Sequence, residues 1–266
     1  MAGRIHVATD AGVTLMTLDE PPANTYSYQL MRELDAAILE ARMDAAVHVV
    51  VITGAGDRFF CAGASIGMLR EADPDFKYYF CLHANETLNR LEQTPKLVIA
   101  ALNGHTVGGG LEVAMAADLR IARKDAGKIG LPEVALGVLP GTGGTQRLAR
   151  LVGKAKAIEL MVTGRLMTMD EAVVAGLVTE AWDADRIGNR SFVEAVVDYA
   201  KTFTPPAKAS LAVGRIKRAV QSGAEAGFSE GLAIERELQQ LLFQSDDARE
   251  GIAANLEKRA PKFSGR

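Results

Sequence analysis

LVIAALNGHTVGGGLEVAMAADLRIA, residues 97 to 122, holds a strand, a turn rich in glycine, a helix and a second strand in immediate succession. Leu97 to Leu102 (LVIAAL) is apolar without interruption, the pattern of a strand covered on both faces. Asn103 to Glu112 (NGHTVGGGLE) carries three consecutive glycines, Gly108 to Gly110, and Leu111 to Ala117 then reads as a short apolar helix. Leu119 to Ala122 returns as a strand. A buried strand that leaves through a loop and helix and comes back as another buried strand is the unit of an α/β fold with parallel strands and right-handed crossovers.

Outward from this stretch the same alternation recurs. Val13 to Leu18 (VTLMTL) reads as a strand closed by Pro21 and Pro22. A helical pattern follows, with Leu30, Leu34, Ile38 and Ala41 on one face. Val47 to Thr53 is β-branched and nearly continuous, a second doubly covered strand ended by Gly54 and Gly56. Phe76 to Gln93 reads as a helix carrying Phe80, Ala84, Leu88 and Leu91, and Pro95 breaks it. Thr168 and Glu171 have the spacing of a capping box for a helix ending near Gly176, and Val178 to Trp182 is the next strand. Strands stop near residue 190. Pro205 and Pro206 mark a joint, and Ala207 to Gln221, Ser229 to Phe243 and Asp247 to Arg259 read as amphipathic helices. The expected organisation is an α/β body over residues 1–195 and a helical region over 196–266 that offers an oligomer interface. No internal repeat or low-complexity segment is present.

Composition narrows the function. Of 266 residues, 48% are hydrophobic and 24% charged, enough for a sizeable core in an ordinary soluble protein. The net charge of −3, without a long run of one sign, speaks against nucleic acid as the main partner. Cys61 and Cys81 form neither a ligand pair nor a disulfide framework, which fits a reducing compartment. His6, His48, His83 and His105 are scattered away from metal-ligand spacing, so no metal site is expected. Met1 to Gly12 lacks the regions of a signal peptide, and no apolar run is long enough for a membrane span. The chain reads as cytoplasmic.

Three segments carry chemistry. Phe59 to Ile66 (FFCAGASI) follows a buried strand, and its small residues leave room for a ligand to reach backbone N–H groups; alone, it reads sooner as a tight turn. In the second, the glycines of NGHTVGGGLE precede a helix whose first N–H groups are unpaired and carry partial positive charge, a setting that favours a developing anion. Glu112 stands in that first turn, as an N-terminal charge or as a tuned acid/base. The spacing does not match a dinucleotide fingerprint. In the third, IGLPEVALGVLPGTGGTQRL (residues 129–148), Glu133 stands among Leu131, Val134, Ala135 and Leu136, where a carboxyl has a raised pKa, as a proton donor near neutral pH requires; a surface glutamate in a loop is the other reading. Gly141 to Thr145 lacks the GK[ST] of a P-loop and reads as the start of a helix whose N-terminus faces the same cavity. Small-residue loops can polarise a carbonyl and hold an enolate oxygen, while two carboxylates move protons at neighbouring carbons. Spacing alone leaves open whether the two glutamates meet.

At these segments the chain resembles the crotonase, or enoyl-CoA hydratase/isomerase, superfamily. FCAGASI resembles the first oxyanion loop, NGHTVGGGLEVAMAADLRIA the second with the first glutamate, and GLPEVALGVLPGTGGTQRL the second glutamate segment. EGIAANLEKRAPKF resembles the family's C-terminal end. The motifs occur in the family order over nearly the whole chain. The resemblance implies a spiral of ββα turns and a helical C-terminal region that trimerises, often as a dimer of trimers. It implies that Ala64 and Gly109 supply oxyanion N–H groups and that Glu112 and Glu133 are the catalytic carboxylates; the pair together resembles a hydratase, which adds water to a 2-trans-enoyl-CoA. Coenzyme A is then part of the substrate and no cofactor is required. Arg58, Ala62, Ser65, Ile66, Gly110, Leu131, Pro132, Gly141, Lys262 and Phe263 are the implied substrate and CoA contacts, with Lys262, Phe263 and Arg266 reaching a neighbouring subunit's CoA.

The chain departs from the pattern at Ser65, where Asp is common, at Gly67, where a CoA-contacting Lys is common, and in Glu20 to Ser27, which lacks the usual Lys. Glu112 and Glu133 are one residue further apart than usual, an insertion expected near Gly127 and Lys128 in a turn or bulge. Tyr26, Tyr28 and the Phe76–Phe80 aromatics read first as core packing and second as a pocket wall for a branched, cyclic or sulfur-bearing acyl group. Double-bond isomerisation and a catalytically silent acyl-CoA- or RNA-binding protein are the alternative functions.

Overall fold

The computed structural model describes residues 4–266; the reading of Met1 to Gly12 falls partly on residues 1–3, outside them. A six-stranded sheet contains β1 (Ile5–Asp10), β2 (Val13–Leu18), β3 (Val49–Gly54), β5 (Leu97–Leu102), β7 (Leu119–Arg123) and β9 (Glu180–Trp182), in that order. A second, three-stranded sheet contains β4 (Phe59–Cys61), β6 (His105–Val107) and β8 (Ile129–Gly130). The two sheets follow one rule. Each turn of chain lays a long strand in the large sheet and a short one in the small sheet, and then makes a helix. Thus β3 and β4 lead to α2 (Ile66–Glu71) and α3 (Pro74–Glu92), β5 and β6 lead to α4 (Gly109–Met115), and β7 and β8 lead to a 3₁₀ turn over Glu133–Leu136. This is the expected spiral of ββα turns. The small sheet was not legible, because strands of two or three residues leave no periodicity to read.

Alternation explains the continuous apolar runs. Val49, Val51, Ile99, Ala101 and Ile121 face one hydrophobic cluster, and Val50, Ile52, Val98, Ala100 and Ala122 face the other. The first cluster is closed by α9 (Phe192–Lys201) through Phe192, Val196 and Ala200, beside Trp182. The second is covered by α1 (Tyr28–Met43), whose Leu30, Leu34, Ile38 and Ala41 are buried as the sequence pattern requires, and by Phe80, Ala84, Leu88 and Leu91 of α3. α9 runs through residue 195 without interruption, and every element after β9 is a helix.

One expectation fails at the edge. β1 pairs antiparallel with β2, whereas every other pair in both sheets is parallel. Ala11 and Gly12, at φ 46° and 80°, make the two-residue turn whose twist suits a hairpin. β1 shows no buried face in its sequence, because its residues are mostly exposed.

After β8 come α5 (Gly144–Val152), α6 (Lys154–Thr163), α7 (Met169–Val174) and α8 (Ala184–Ile187). The Thr168–Glu171 capping box is formed in both directions. The last helices are α10 (Ser210–Ala224), α11 (Phe228–Phe243) and α12 (Asp246–Leu256). A buried ion pair ties α10 to the body: Lys217 Nζ lies 2.8 Å from Asp118 Oδ2 and donates to the Lys96 carbonyl at 3.0 Å. By contrast α11 buries no residue within the chain, and Ile216, Val220 and Phe243 of α10 and α11 stay exposed beside a cavity of about 580 Å³. No helix among the described residues is long and apolar enough to cross a membrane.

Candidate active site

The site forms where β4, β6 and β8 end. α4 starts two residues earlier than the sequence pattern indicated, at Gly109, so two of the three glycines lie inside it and all seven of its residues are buried. The requirement for glycine is steric. A β-carbon on Gly110 would stand 2.0 Å from the Cys61 carbonyl oxygen, and one on Gly109 would stand 2.1 Å from the Tyr26 hydroxyl. The N-terminus of α4 is thereby pressed against the loop after β4. A β-carbon on Gly63 would be 3.0 Å from the Gly109 nitrogen, which sets the two small-residue loops side by side.

Ala64 follows Gly63, and Gly109 begins α4, so their N–H groups belong to two adjoining segments. The Tyr26 N–H donates to Gly63 O and the Ser65 N–H to Tyr26 O, both close to 3.0 Å, so the chain on either side of Ala64 is held. Among the described residues, no oxygen accepts from the Ala64 or Gly109 N–H. An unpaired amide, such as that of Gly109 at the start of α4, can bind an oxygen that gains negative charge.

The two glutamates come to this point from different elements. Glu112, in the first turn of α4, is 2% exposed. Its Oε1 accepts from the N–H groups of Thr142 and Gly144, each at 2.7 Å, and its Oε2 accepts from the Thr142 hydroxyl. The N-terminus of α5 therefore faces Glu112. Burial holds the Glu112 carboxyl above its usual range, and these donors, with Arg147 nearby, offset part of that rise. Glu133 begins the 3₁₀ turn. Its Oε1 lies 3.1 Å from the place of a Gly108 β-carbon, and its buried Oε2 has no hydrogen-bond partner. Burial, with the Glu112 charge adding to it, raises this carboxyl to about 7. The raised value was expected but its cause was not as read: Val134, Ala135 and Leu136 point outward, and only Leu131 of those neighbours is buried. Gly108, the residue before α4, lies against the Glu133 carboxyl.

Of the other residues singled out, Ala62, Ser65, Ile66, Gly110, Pro132 and Gly141 lie on the loops and helix starts around this cluster. Ser65 caps α2, and Ile66, its first residue, is exposed. Gly141 O accepts from Asn85 Nδ2 at 3.1 Å. Leu131 is a core residue, 1% exposed. Arg58 is not brought to the cluster; it stands at the amino end of β4, its guanidinium 5.3 Å from the Phe59 ring centre, beside His105 and Arg123. Lys262 and Phe263 are also elsewhere. The Phe263 N–H donates to Pro206 O, Ser264 is held by Asp247, and Gly265 packs on His48 at the amino end of β3. Gly127, near the expected insertion, has φ 92° and packs on the His105 ring in the turn before β8.

Four residues beside the carboxylates were missed as site residues or given another role. Thr142 and Gly144 bind Glu112. Arg147 is buried on α5, donates to Thr142 O at 3.3 Å and is held by Glu92 and Asn89 at 2.8 Å, which fixes the loop that holds Glu112. Tyr26, read first as core packing, is buried in the core, yet its hydroxyl reaches Thr142.

A family model described as enoyl-CoA hydratase/isomerase matches residues 8–266. The chain belongs to this family. A probable enoyl-CoA hydratase of Bacillus subtilis (strain 168) is 38% identical, with 98% of each chain covered. The 2,3-dehydroadipyl-CoA hydratase of Escherichia coli (strain K12) is 37% identical over 98% of each chain. Among solved structures, the enoyl-CoA hydratase of Geobacillus kaustophilus HTA426 superposes with a TM-score of 0.95 at 43% identity, covering 100% of this chain and 98% of that one. The enoyl-CoA hydratase of Bacillus anthracis gives 0.91 at 32% identity, covering 99% and 100%. The fold of the family is therefore the fold of this chain.

Proposed function

We propose that the protein is an enoyl-CoA hydratase that adds water across a 2-trans-enoyl-CoA to give the 3-hydroxyacyl-CoA. The observation that carries this reading is the difference between two carboxyls set beside two unpaired amides. Glu112 has three donors that favour its ionised form against the burial that raises its carboxyl. Glu133 has a buried oxygen without a partner and holds its proton to about pH 7. A base and an acid are then available at once, which hydration of a conjugated thioester needs.

In the proposed reaction the thioester oxygen accepts from the N–H groups of Ala64 and Gly109 and gathers charge as an enolate. Loss of one such donor typically lowers the rate about 10²–10³-fold. Glu112 takes a proton from the water whose oxygen bonds to C3. Glu133 gives its proton to C2, and the two carboxyls exchange their protonation states, to be reset by solvent. The reaction as written needs no metal or redox cofactor, and coenzyme A enters as part of the substrate. Ala62, Ser65, Ile66, Gly110, Leu131, Pro132 and Gly141 are proposed to line the acyl thioester, with Arg58 and a neighbouring subunit's Lys262 and Phe263 further along the CoA.

The exposed apolar surface of α10 and α11 supports self-association, as a homotrimer or a dimer of trimers. A cytoplasmic place in fatty-acid β-oxidation chemistry completes the reading. Glu112→Gln and Glu133→Gln test it: each should lower hydration of crotonyl-CoA at least 10²-fold while leaving binding of a CoA thioester intact. Turnover near that of the unmodified protein in either variant would remove that glutamate from the mechanism.

A further inference from the structure

We infer that Tyr26 is a positioning residue whose hydroxyl, acting through Thr142, keeps Glu112 in its ionised, proton-accepting state. The inference rests on Glu112 being the base of the proposed reaction.

The geometry sets the direction of every hydrogen in a short line. The Tyr26 hydroxyl oxygen lies 2.9 Å from Thr142 Oγ1, and Thr142 Oγ1 in turn meets Glu112 Oε2. Both oxygens of the ionised Glu112 can only accept. Thr142 must therefore spend its single hydroxyl hydrogen on Glu112. Its oxygen is left as an acceptor, and Tyr26 must be the donor. Each hydrogen then has one acceptor, and the line closes without an orphan.

Protonating Glu112 breaks this arrangement. If the carboxyl gains its hydrogen on Oε2 and donates to Thr142, the threonine hydroxyl turns to the Tyr26 oxygen. The phenol hydrogen then has no acceptor, and Tyr26 is 2% exposed, so water does not replace it freely. If the proton goes to Oε1, it meets the Thr142 and Gly144 N–H groups, which are donors themselves. A buried donor without a partner is costly, so the line resists protonation of Glu112. Tyr26 cannot escape by losing its own proton, because burial and the nearby Glu112 charge both hold the phenol well above its usual range.

The packing keeps Tyr26 in place for this role. Its hydroxyl is set against Gly109, where a β-carbon would come within 2.1 Å. Its backbone bonds to Gly63 and Ser65 on either side of Ala64. One residue thus links the backbone around Ala64, the first residue of α4 and the Glu112 carboxylate. The Thr142 end is fixed independently by Arg147 and, through Gly141, by Asn85.

Tyr26→Phe removes the hydroxyl and keeps the ring. The expected result is that the acid limb of kcat/KM for crotonyl-CoA moves up by about one pH unit, while the alkaline limb set by Glu133 stays in place. Thr142→Val should move the acid limb at least as far, and adding Tyr26→Phe to it should add nothing, because the tyrosine acts through the threonine. The titration of Glu112 is read separately in the carboxyl infrared band that disappears in Glu112→Gln, and it should shift upward in Tyr26→Phe. An unchanged Glu112 titration in Tyr26→Phe, or a further shift in the double variant, overturns the inference. A protein that leaves crotonyl-CoA intact but whose Glu112 titration still responds to Tyr26→Phe keeps the inference about the line and refutes the proposed reaction instead.

Discussion

Glu133→Gln should remove turnover and at the same time make the protein harder to unfold in alkaline solution. The sign follows from burial. The folded carboxyl titrates at about 7 instead of its ordinary 4.5, so between those values the folded state holds a proton that the unfolded state has released. The contribution of this group to stability is then fully present below about 4.5 and is lost as the pH rises through 7. A displacement of that size has a ceiling of about 3 kcal/mol. Glu133 is only half-buried, so solvent screening lowers the cost to about 1–2 kcal/mol. Glutamine has the same shape and no charge to lose. For a chain of this length about 1 kcal/mol corresponds to about 2–4 °C in Tm. Thermal unfolding followed at fixed protein concentration should give a variant that gains several degrees on the unmodified protein between pH 4.5 and pH 8.5. A Tm difference that does not change across this range would refute the argument, because burial would then not be what holds the proton on Glu133.

Further consequences follow from the same geometry. The pH profile of kcat/KM should be bell-shaped, with an alkaline limb near 7 as Glu133 loses its proton; a rate that keeps rising to pH 9 would contradict its role as the acid. Gly110→Ala should cost both activity and stability, since the new β-carbon meets the backbone carbonyl of Cys61 at 2.0 Å and α4 must move away from β4; an unchanged rate would show that this contact does not set the site. Lys217→Met leaves the buried Asp118 without its cation and should destabilise the fold by about 3–5 kcal/mol, with much of the loss recovered when Asp118→Asn is added. Denaturant unfolding of the single and double variants measures both effects.

The parts of the fold that were legible in the sequence are those with a long period or a continuous run. β3 and β5 announced themselves because both faces are covered, and α1 because its apolar residues return every three or four positions. β4, β6 and β8 are too short to show a pattern, and β1 is an exposed edge whose partner alone makes it a strand. At the site, the glycines and the two glutamates were legible as residue types, since a helix start and a carboxyl among apolar neighbours have physical meanings of their own. Their convergence came only from the resemblance between motifs. Thr142, Gly144 and Arg147 carry no sign of their task, because a hydrogen bond across 30 residues of chain leaves no local pattern. Tyr26 shows the same limit: an aromatic ring in an apolar context reads as packing, and only the position of its hydroxyl gives it a second role. For Glu133 the apolar neighbours in sequence point to the right direction of the pKa for the wrong reason, since Val134 and Leu136 face outward and Gly108 lies against the carboxyl.

The most direct test of the account is the reaction itself. Purified protein is mixed with crotonyl-CoA, the conjugated enoyl-thioester absorbance is followed, and the product is identified by mass. The account predicts rapid loss of absorbance and a product heavier by one water. Persistence of the absorbance while CoA thioester binding is retained, or a product of unchanged mass with a shifted double bond, would contradict it.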